Sequence, residues 1–358
     1  METLQLRKIL GRFRLAAPAG DIRPLGDGLI NDTYFAEPGY VLQRVNHRIF
    51  TDVDGLQRNI EQVTGHIRRK LEAAGTPDID RRVLHFRKAD NDKTYVEADG
   101  DFWRVSDFIE QSETRTEVTP LSAHQTGKAF GDFEAMLIDL PAPLVETIPD
   151  FHNMELRLRQ LRDAVARDSA GRLSQVKGLV DDMEALAGEM CLAERLHREG
   201  KLPKRVCHCD TKVSNILFDP SGEPLCVIDL DTVMPSFVFS DFGDFLRTTA
   251  NTAAEDEPDP DKIGFDMEIF KAFAEGYLAS AGKFLTSVER ENLPFAVTLF
   301  PYMQAVRFLT DYLNGDVYYK TSYGEHNLVR TRSQWRYFEI TRNELGAMCD
   351  FIAHCPDN

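Results

Sequence analysis

The sequence has 358 residues, of which 42% are hydrophobic and 28% are charged, an ordinary composition for a globular protein with a sizeable core. This length suits two lobes or domains better than a single small one. The formal net charge of -16 repels phosphate backbones and therefore argues against a general nucleic-acid-binding protein.

The N-terminal residues carry charges every few positions, and no window reaches the roughly 20 apolar residues of a membrane span. We therefore expect a cytoplasmic protein with no membrane contact. The six cysteines are too sparse for a disulfide scaffold. Cys207 and Cys209 flank His208, but no second pair of ligands follows at the spacing of a zinc site, so we expect buried thiols there.

The N-terminal part of the chain is rich in β-forming residues. Short runs of this kind occupy residues 22–26, 31–37, 40–46, 93–100 and 102–110. Between the third and the fourth run, Leu56, Ile60, Val63 and Ile67 recur at helical spacing. The pattern predicts a small, mostly antiparallel sheet with one helix against it.

The character of the sequence changes after Glu110, where a polar, turn-rich linker precedes mainly helical patterns. We expect helices at 121–140, 154–168, 179–200, 266–281, 287–314 and 334–352. Two strand-like runs, 215–219 and 224–229, interrupt them and are joined by a turn. The prediction is an α+β protein with an N-terminal lobe at 1–110 and a helical C-terminal lobe at 111–358.

The stretch from 206 to 233 carries the most specific chemistry. Asp210 is followed five residues later by Asn215, then by a hairpin, and then by Asp229 at a strand end. Phosphoryl transfer needs a carboxylate that orients the acceptor hydroxyl, which fits Asp210. It also needs hard oxygen ligands for Mg²⁺, which fits Asn215 and Asp229 because the hairpin returns one towards the other. The pattern predicts a metal-dependent phosphotransferase.

Other polar residues near this stretch have two interpretations. Asp231 could bind a second metal ion or hydrogen-bond a turn. Asp241 and Asp244 lie at the start of a predicted helix, where carboxylates favour the free backbone amides, so we expect a structural role. His208 is expected to brace the catalytic loop and not to act as a base.

With these motifs in place, the chain resembles the aminoglycoside phosphotransferase and choline kinase superfamily, and within it most closely the N-acetylhexosamine 1-kinases. The resemblance runs nearly from end to end of the chain. It rests on the segments 26–34, 40–46, 102–110, 208–217, 228–235, 241–244, 307–319 and 325–332. The central motif is shared by the whole superfamily, whereas the last two segments are typical of the hexosamine kinases.

The resemblance implies a bilobal, protein-kinase-like fold with a nucleotide-binding N-lobe, and a C-lobe with the catalytic loop and the sugar site. It implies Asp210 as the catalytic base, in contact with the substrate, and Asn215, Asp229 and Asp231 as ligands of one or two Mg²⁺ ions. The implied ATP-binding residues are Gly26, Asp27, Gly28, Asn31, Thr33, Asp107, Phe108 and Ile109. Arg307 and Tyr318 are implied in the sugar pocket, where an Arg fork and a Tyr ring suit polyol recognition.

Two of these assignments keep a structural alternative. A glycine pair between two strands is often only a hairpin. Arg307 could be an exposed helix residue and Tyr318 a core residue.

Three positions depart from the expected pattern. Gln43 stands where a kinase has its nucleotide-binding lysine, and Arg44 should point to the opposite face of its strand. Leu29 occupies a loop position where a polar residue is expected near the sugar. Thr248 replaces an aromatic residue. These departures leave the exact sugar open.

We therefore expect transfer of the ATP γ-phosphoryl group to the anomeric hydroxyl of an N-acetylhexosamine, GlcNAc or GalNAc. The enzymatic alternatives are related kinases acting on homoserine, choline, methylthioribose or an aminoglycoside. The non-enzymatic alternative is a nucleotide-binding pseudokinase, although such proteins commonly lose one of the three catalytic residues.

Overall fold

A computed structural model describes residues 3–26 and 30–356 of the chain. Its contacts divide the chain into two compact units. The first comprises Met1–Thr116, Met136–Pro149 and Val213–Pro235. The second comprises Glu117–Ala135, Asp150–Lys212 and Ser236–Asn358. Two later segments thus join the N-terminal unit, and the predicted lobe boundary at residue 110 stays a prediction.

The described residues form the following strands and α-helices. The strands are β1 (Ile22–Pro24), β2 (Asp32–Ala36), β3 (Tyr40–Val45), β4 (Tyr95–Ala98), β5 (Asp101–Asp107), β6 (Glu113–Thr114), β7 (Arg205–Cys207), β8 (Ile216–Phe218), β9 (Pro224–Val227) and β10 (Met234–Ser236). The α-helices are α1 (Thr3–Leu10), α2 (Val53–Ala73), α3 (Ile79–Arg82), α4 (Pro120–Leu137), α5 (Met154–Arg167), α6 (Leu173–Met190), α7 (Leu192–Arg198), α8 (Phe239–Thr249), α9 (Met267–Ala281), α10 (Ser287–Glu291), α11 (Leu293–Asn314), α12 (His326–Asn343) and α13 (Leu345–His354).

The first unit contains a five-stranded sheet in the order β1-β2-β3-β5-β4, with antiparallel pairs throughout. Leu42 of β3 and Trp103 and Val105 of β5 are fully buried in its core. The short helix α1, which was not predicted, packs Leu6 and Leu10 into this same cluster. Leu6, Ile9 and Leu10 do recur at helical spacing, so the sequence carried a signal for this helix.

The predicted helix after the third strand is confirmed as α2. Leu56, Ile60 and Val63 lie on its fully buried face, and the Asp52 side chain caps its N-terminus by accepting from the amide of Gly55. Asn59 on the same helix donates to the carbonyl oxygens of Val145 and Val233. The buried side-chain amide of Asn59 thus connects three separate chain segments of the first unit by hydrogen bonds.

The second unit is mainly helical and is organised around α11, which is buried along most of its length and packs against α5, α8 and α12. The predicted helix 287–314 is interrupted at Asn292, because Pro294 lacks the amide needed to continue a helix and instead lies in the first turn of α11. The single helix predicted at 334–352 is two helices, α12 from His326 and α13 from Leu345. The prediction missed the first half of α12 because that half is polar and carries no apolar period.

A small antiparallel sheet in the first unit and a mainly helical second unit confirm the predicted α+β class. Among the described residues, no helix combines the length and the hydropathy needed to cross a bilayer.

Candidate active site

The backbone that leads into Asp210 is fixed by one buried carboxylate in the second unit. Asp241 of α8 accepts hydrogen bonds from the backbone amides of His208 and Cys209, each at 2.7 Å. The Thr211 hydroxyl donates to the Asp241 carbonyl oxygen at 2.8 Å. Cys209 has a φ of 63°, which strains a side chain other than glycine. The carboxylate therefore holds a strained turn immediately before the predicted catalytic residue.

His208 is held inside the second unit, and its role in bracing the catalytic loop stays a prediction. The residue is fully buried, and its ring lies edge-on against Phe130 and Phe133 of α4. Cys207 and Cys209 are free, buried thiols, and burial raises the pKa of both well above the usual range. They are held as neutral thiols at neutral pH.

Asp210 lies in a cavity of about 230 Å³ within the second unit. Lys212, two residues later in the same loop, places its ammonium 2.6 Å from the Asp210 carboxylate and also lines the cavity. Arg307 of α11 lines it as well, so the predicted catalytic base and one predicted sugar residue lie together. The apolar part of the wall comes from Phe151, Phe300 and Met303.

The charged groups of this cavity are arranged in pairs. Arg247 contacts Glu255 at 2.6 Å and Asp244 at 3.5 Å. Burial raises the pKa of Asp244 to about 6, against the opposing effect of Arg247 and with a smaller contribution from Asp210. Each cavity carboxylate therefore has a cationic neighbour.

His152 is an unpredicted member of the cavity. It stacks on Phe151 and meets Phe300 edge-on, and its Nδ1 is buried without a hydrogen-bond partner among the described residues. Burial, together with Arg307 and other arginines nearby, holds the pKa of His152 well below its usual range. A neutral imidazole offers one donor and one acceptor.

Arg307 is oriented by its own neighbours. Its guanidinium donates to Gln304 at 3.0 Å and lies 5.7 Å from the ring centres of Phe151 and Tyr319. Tyr319 is largely buried, whereas the predicted residue Tyr318 is 70% exposed and touches Tyr319 edge-on. Tyr318 as a sugar contact stays a prediction, and Tyr319 is the tyrosine that packs on Arg307.

The loop after α11 is held by contacts between the segments 307–319 and 325–332. Asp311 accepts from the backbone amides of Val317, Tyr318 and Tyr319 at 2.8 to 3.0 Å. The Asn327 amide of α12 donates to Asp311 and also to Asp316, each at 2.9 Å. Buried Asp311 and Asn327 thus fix the loop that carries both tyrosines.

The predicted metal ligands lie at the open end of the β8–β9 hairpin in the first unit. The Asn215 carbonyl oxygen accepts from the Ile228 amide at 2.9 Å, which brings Asn215 next to the residue preceding Asp229. Asp229 is exposed, with a φ of 58°. An amide oxygen and a carboxylate are hard donors, so these residues fit Mg²⁺. Asn215 and Asp229 as ligands remain a prediction.

Asp231 is 2% exposed, and both of its oxygens are engaged. Oδ1 contacts the Arg104 guanidinium at 2.5 Å, and Oδ2 accepts from the Asn31 amide at 2.7 Å. Arg104 in turn donates to Gln43, the residue in place of the kinase lysine, at 3.0 Å. These contacts favour a structural role for Asp231, and its role as a ligand stays a prediction. Arg44 points to the other face, towards Asp32 and Asp101, as predicted.

The predicted phosphate-binding turn is described only in part. Asp27, Gly28 and the departing residue Leu29 lie outside the described residues. Gly26 has a φ of 69°, a left-handed conformation that glycine adopts without strain, which fits a glycine turn. Thr33 accepts from Gln43 at 3.2 Å. The side chain of Asn31 is already engaged by Asp231 and by the amide of Asn46.

The predicted adenine-binding segment is part of β5 and the turn after it. The Asp107 carboxylate is paired with His85 and Arg87, and although burial opposes the effect, these bonds lower the pKa of Asp107. The Phe108 amide donates to Gly39 at 3.0 Å. Ile109 packs in one apolar cluster with strand β9 residues Leu225 and Cys226. The predicted adenine segment and the hairpin with the predicted metal ligands thus share a cluster.

Comparisons with known proteins bear on the family and the fold. A sequence model of the phosphotransferase enzyme family APH matches residues 21–290. A structure of an aminoglycoside phosphotransferase from Alicyclobacillus acidocaldarius is similar, with a TM-score of 0.61, 14% identity and coverage of 97% of this chain and 96% of that one. A structure of a choline/ethanolamine kinase family protein from Mesorhizobium loti has a TM-score of 0.59 and 17% identity, and the match covers 98% of this chain and 99% of that one.

A spectinomycin phosphotransferase, solved with ADP and spectinomycin, gives a TM-score of 0.55 at 13% identity and covers 98% of this chain and 99% of its own. Identities this low establish the shared fold and not the substrate. The family match covers well over half of the chain. The chain therefore belongs to the phosphotransferase enzyme family and has the protein-kinase-like fold of aminoglycoside phosphotransferases and choline kinases.

Proposed function

We propose that this protein transfers the ATP γ-phosphoryl group to the anomeric hydroxyl of an N-acetylhexosamine, giving the sugar 1-phosphate. The observation that carries the proposal is the shared cavity of Asp210 and Arg307. Arg307 begins one of the two segments typical of hexosamine kinases, and the Asp311–Asn327 contact binds those two segments to each other.

The polar groups of the cavity suit a neutral, hydroxylated acceptor. Its carboxylates Asp210, Asp244 and Glu255 face the cations Lys212 and Arg247, so none is left as a dedicated partner for a substrate ammonium group. Neutral His152 and the Gln304 amide can exchange hydrogen bonds with hydroxyl groups. This supports a sugar over choline or an aminoglycoside, whose pockets should carry carboxylates or aromatic cages for a cation.

The size of the cavity supports a small acceptor. Its volume of about 230 Å³ lies below the roughly 300–1,000 Å³ of pockets that hold drug-sized ligands. A single pyranose ring is a more suitable occupant than an aminoglycoside with several rings.

In the proposed reaction Asp210 accepts a hydrogen bond from the anomeric hydroxyl and orients its oxygen for attack on the γ-phosphorus. The ammonium of Lys212, next to that carboxylate, is positioned to neutralise charge that develops on the transferring phosphoryl group. Arg307 and His152 hold the sugar by its hydroxyl and acetyl oxygens, so that the hydroxyl stays oriented.

The nucleotide would be held by residues of the first unit. We assign Mg²⁺ to Asn215 and Asp229. Asp231 fixes the turn after Asp229 through its ion pair with Arg104. Bound there, Mg²⁺ would neutralise the phosphate oxygens of ATP. Gly26 and its turn would approach the phosphates, and the backbone of 107–109 would meet the adenine.

The test is ADP release with Mg-ATP and a panel of N-acetylhexosamines, hexoses, amino alcohols and aminoglycosides. With the right sugar we expect turnover together with loss of the reducing end, because phosphorylation at C1 blocks ring opening. The ³¹P signal of a sugar 1-phosphate identifies the product. Turnover with an amino alcohol and with no hexosamine would overturn the substrate assignment.

The catalytic assignment is tested with Asp210→Asn and Lys212→Met on the accepted substrate. Removal of a general base typically lowers the rate by about 10²–10⁴-fold. Asp181→Asn is a matched control, because it removes an acid from the exposed pair of Lys177 and Asp181 on α6. Nucleotide binding without turnover on any acceptor would favour the pseudokinase alternative.

A further inference from the structure

A buried carboxylic acid lies behind the catalytic loop in the second unit. Glu134 of α4 is 3% exposed, and one of its carboxyl oxygens lies within 4.8 Å of an oxygen of Asp241, which is fully buried. Two charged carboxylates this close in a buried site repel each other, and a proton on one of them removes the repulsion. The geometry therefore favours an acid–carboxylate pair.

The neighbours of the two groups show which one carries the proton. Both oxygens of Asp241 accept from backbone amides, of His208 and Cys209, which favours its charged form. On Glu134, Oε2 accepts from the Tyr277 hydroxyl at 2.9 Å, while Oε1 is buried and receives no N–H or O–H from the described residues. Oε1 is thus the atom available to hold a proton.

Close packing of helices brings Glu134 to this place. Gly131 and Gly127 lie on the same face of α4 as Glu134, one and two turns earlier respectively. A Cβ at Gly127 would meet the Phe273 carbonyl oxygen of α9 at 2.3 Å, and one at Gly131 would meet the Tyr277 carbonyl oxygen at 2.7 Å. Only glycine lets the two backbones approach so closely, and this approach presents Tyr277 to Glu134.

We propose that Glu134 is a protonated positioning residue, which shares its proton with Asp241 and thereby fixes the turn that carries Asp210. The catalytic part of this statement rests on the proposed function, whereas the shared proton does not. Glu134 neutral and Asp241 charged give the pair a single negative charge, and that charge is directed at the strained backbone of Cys209.

The other charged and titratable groups around the pair do not replace the proton. The nearest cation, Arg205, is bound by both oxygens of Glu289. The groups that face Glu134 or Asp241 from the surrounding elements are Cys207, Arg205, His208 and Tyr277. Glu134, Cys207 and Asp241 could together contact a metal ion, but the oxygens of Asp241 already accept two amides and the site is closed to solvent. A proton fits this geometry better than a metal.

Burial raises the pKa of Glu134 well above its usual range, with Asp241 acting in the same direction. An acid that keeps its proton only in the folded state makes folding less favourable as pH rises above the unfolded pKa. We therefore consider the ratio of the unfolding equilibrium constant of wild type to that of Glu134→Gln. This ratio should rise by about tenfold per pH unit above about pH 4.5.

The experiment compares wild type, Glu134→Gln, Glu134→Met and Tyr277→Phe in the full chain. Infrared difference spectra at neutral pH should contain a protonated-carboxyl carbonyl band that Glu134→Gln lacks. Urea unfolding between about pH 5 and 8 should give the tenfold-per-unit trend. Absence of the band together with a flat ratio overturns the proposal, and both readouts are independent of enzymatic activity.

The positioning role has its own readouts. Glu134→Gln can still donate an N–H to Asp241 and should retain more kcat than Glu134→Met, with the KM for nucleotide similar in both. If Glu134→Met fails to fold, Tyr277→Phe removes only the donor to Oε2. That donor favours the charged form of Glu134, so the protonated-carboxyl band should persist to higher pH in Tyr277→Phe than in wild type. Equal kcat in the Gln and Met variants overturns the positioning role. Stoichiometric zinc in the purified protein, lost in Glu134→Gln, overturns the shared proton.

Discussion

Arg104 and Asp231 form an ion pair whose two side chains are only 2% and 3% exposed. The pair joins β5 to the turn that follows Asp229, within the first unit. Gln43 and Asn31 satisfy remaining donors and acceptors of the two charges, at 3.0 and 2.7 Å. Gln43 stands where the resemblance implies a lysine, and the buried positive charge comes from an arginine on the neighbouring strand.

Removing one member of this pair should be strongly destabilising. Arg104→Met leaves the Asp231 carboxylate buried and unpaired, and the free energy of unfolding should fall by about 3–5 kcal/mol. Urea unfolding measures this loss. Asp231→Asn should cost a similar amount, and the double variant clearly less than the sum of the two. Losses under about 0.5 kcal/mol in both single variants, as at ordinary surface positions, would contradict the assignment.

The same contacts separate two roles of Asp231. If it acts only through Arg104, Asp231→Asn should leave the Mg²⁺ dependence of the rate unchanged, once corrected for the folded fraction. Asp229→Asn, on the exposed neighbour, should shift the Mg²⁺ concentration needed for half-maximal rate. Equal shifts in the two variants would make Asp231 a ligand.

Asp244 should give the protein a pH-dependent term in stability. Its pKa of about 6 lies above the value of 3.8 expected in the unfolded chain, so the folded state binds more protons in between. Stability from this group therefore falls as pH rises through about 4 to 6, by up to about 1.4 kcal/mol per unit, and is level above that range. Urea unfolding of wild type and Asp244→Asn measures the difference between the two slopes.

Asp132→Asn provides a control for Asp244, since its carboxylate is half exposed and paired with Lys128. The free energy of unfolding of Asp132→Asn should depend on pH in the same way as that of wild type. A wild-type slope that Asp244→Asn leaves intact between about pH 4 and 6 would show that this proton is bound elsewhere.

The sequence predicted those features that are local in the chain. The spacing of Asp210, Asn215 and Asp229 lies within one loop and hairpin, and the helical period of α2 lies within one helix. Arg104 and Asp231 are 127 residues apart, and their contact depends on how β5 pairs in the sheet. Glu134 likewise reads as an ordinary helix residue until α9 and α8 are packed around it. No spacing rule in a single sequence identifies partners that lie so far apart in the chain.

Lys212 is the exception, because it could have been found. It follows Asp210 by two residues within the motif itself, and a cation so close to a catalytic carboxylate is a candidate for charge neutralisation. His152 carried no such signal, since it acquires its neutral state from burial and from arginines of distant elements.

Asp311 should matter for both stability and acceptor binding. Asp311→Ala leaves the amides of Val317, Tyr318 and Tyr319 without their acceptor, and hydrogen bonds to charged groups contribute roughly 1.5–3 kcal/mol each. We expect a loss of about 3 kcal/mol in urea unfolding and a higher acceptor KM with unchanged nucleotide KM. Asp350→Ala, at an exposed position on α13, is the control. An unchanged acceptor KM would separate this loop from the acceptor cavity.

Arg307 should determine acceptor recognition through both its charge and its planar shape. Arg307→Met removes the fork that lies between the rings of Phe151 and Tyr319, so kcat/KM for the acceptor should fall by about 10- to 100-fold, the equivalent of one charged hydrogen bond. Arg307→Lys keeps the charge and loses the fork, so it should recover only part of the loss.

The acetyl group of the sugar provides the sharper comparison. If the guanidinium binds the acetyl oxygen, Arg307→Met should lower kcat/KM for the N-acetylhexosamine more than for the corresponding hexose, because the hexose never makes that bond. Arg342→Met is the matched control, since Arg342 also lies over an aromatic ring, that of Phe338, but does not line the cavity. Equal losses for both sugars would mean that Arg307 binds a hydroxyl common to them, and the preference for an acetylated sugar would then have to come from His152 or Gln304.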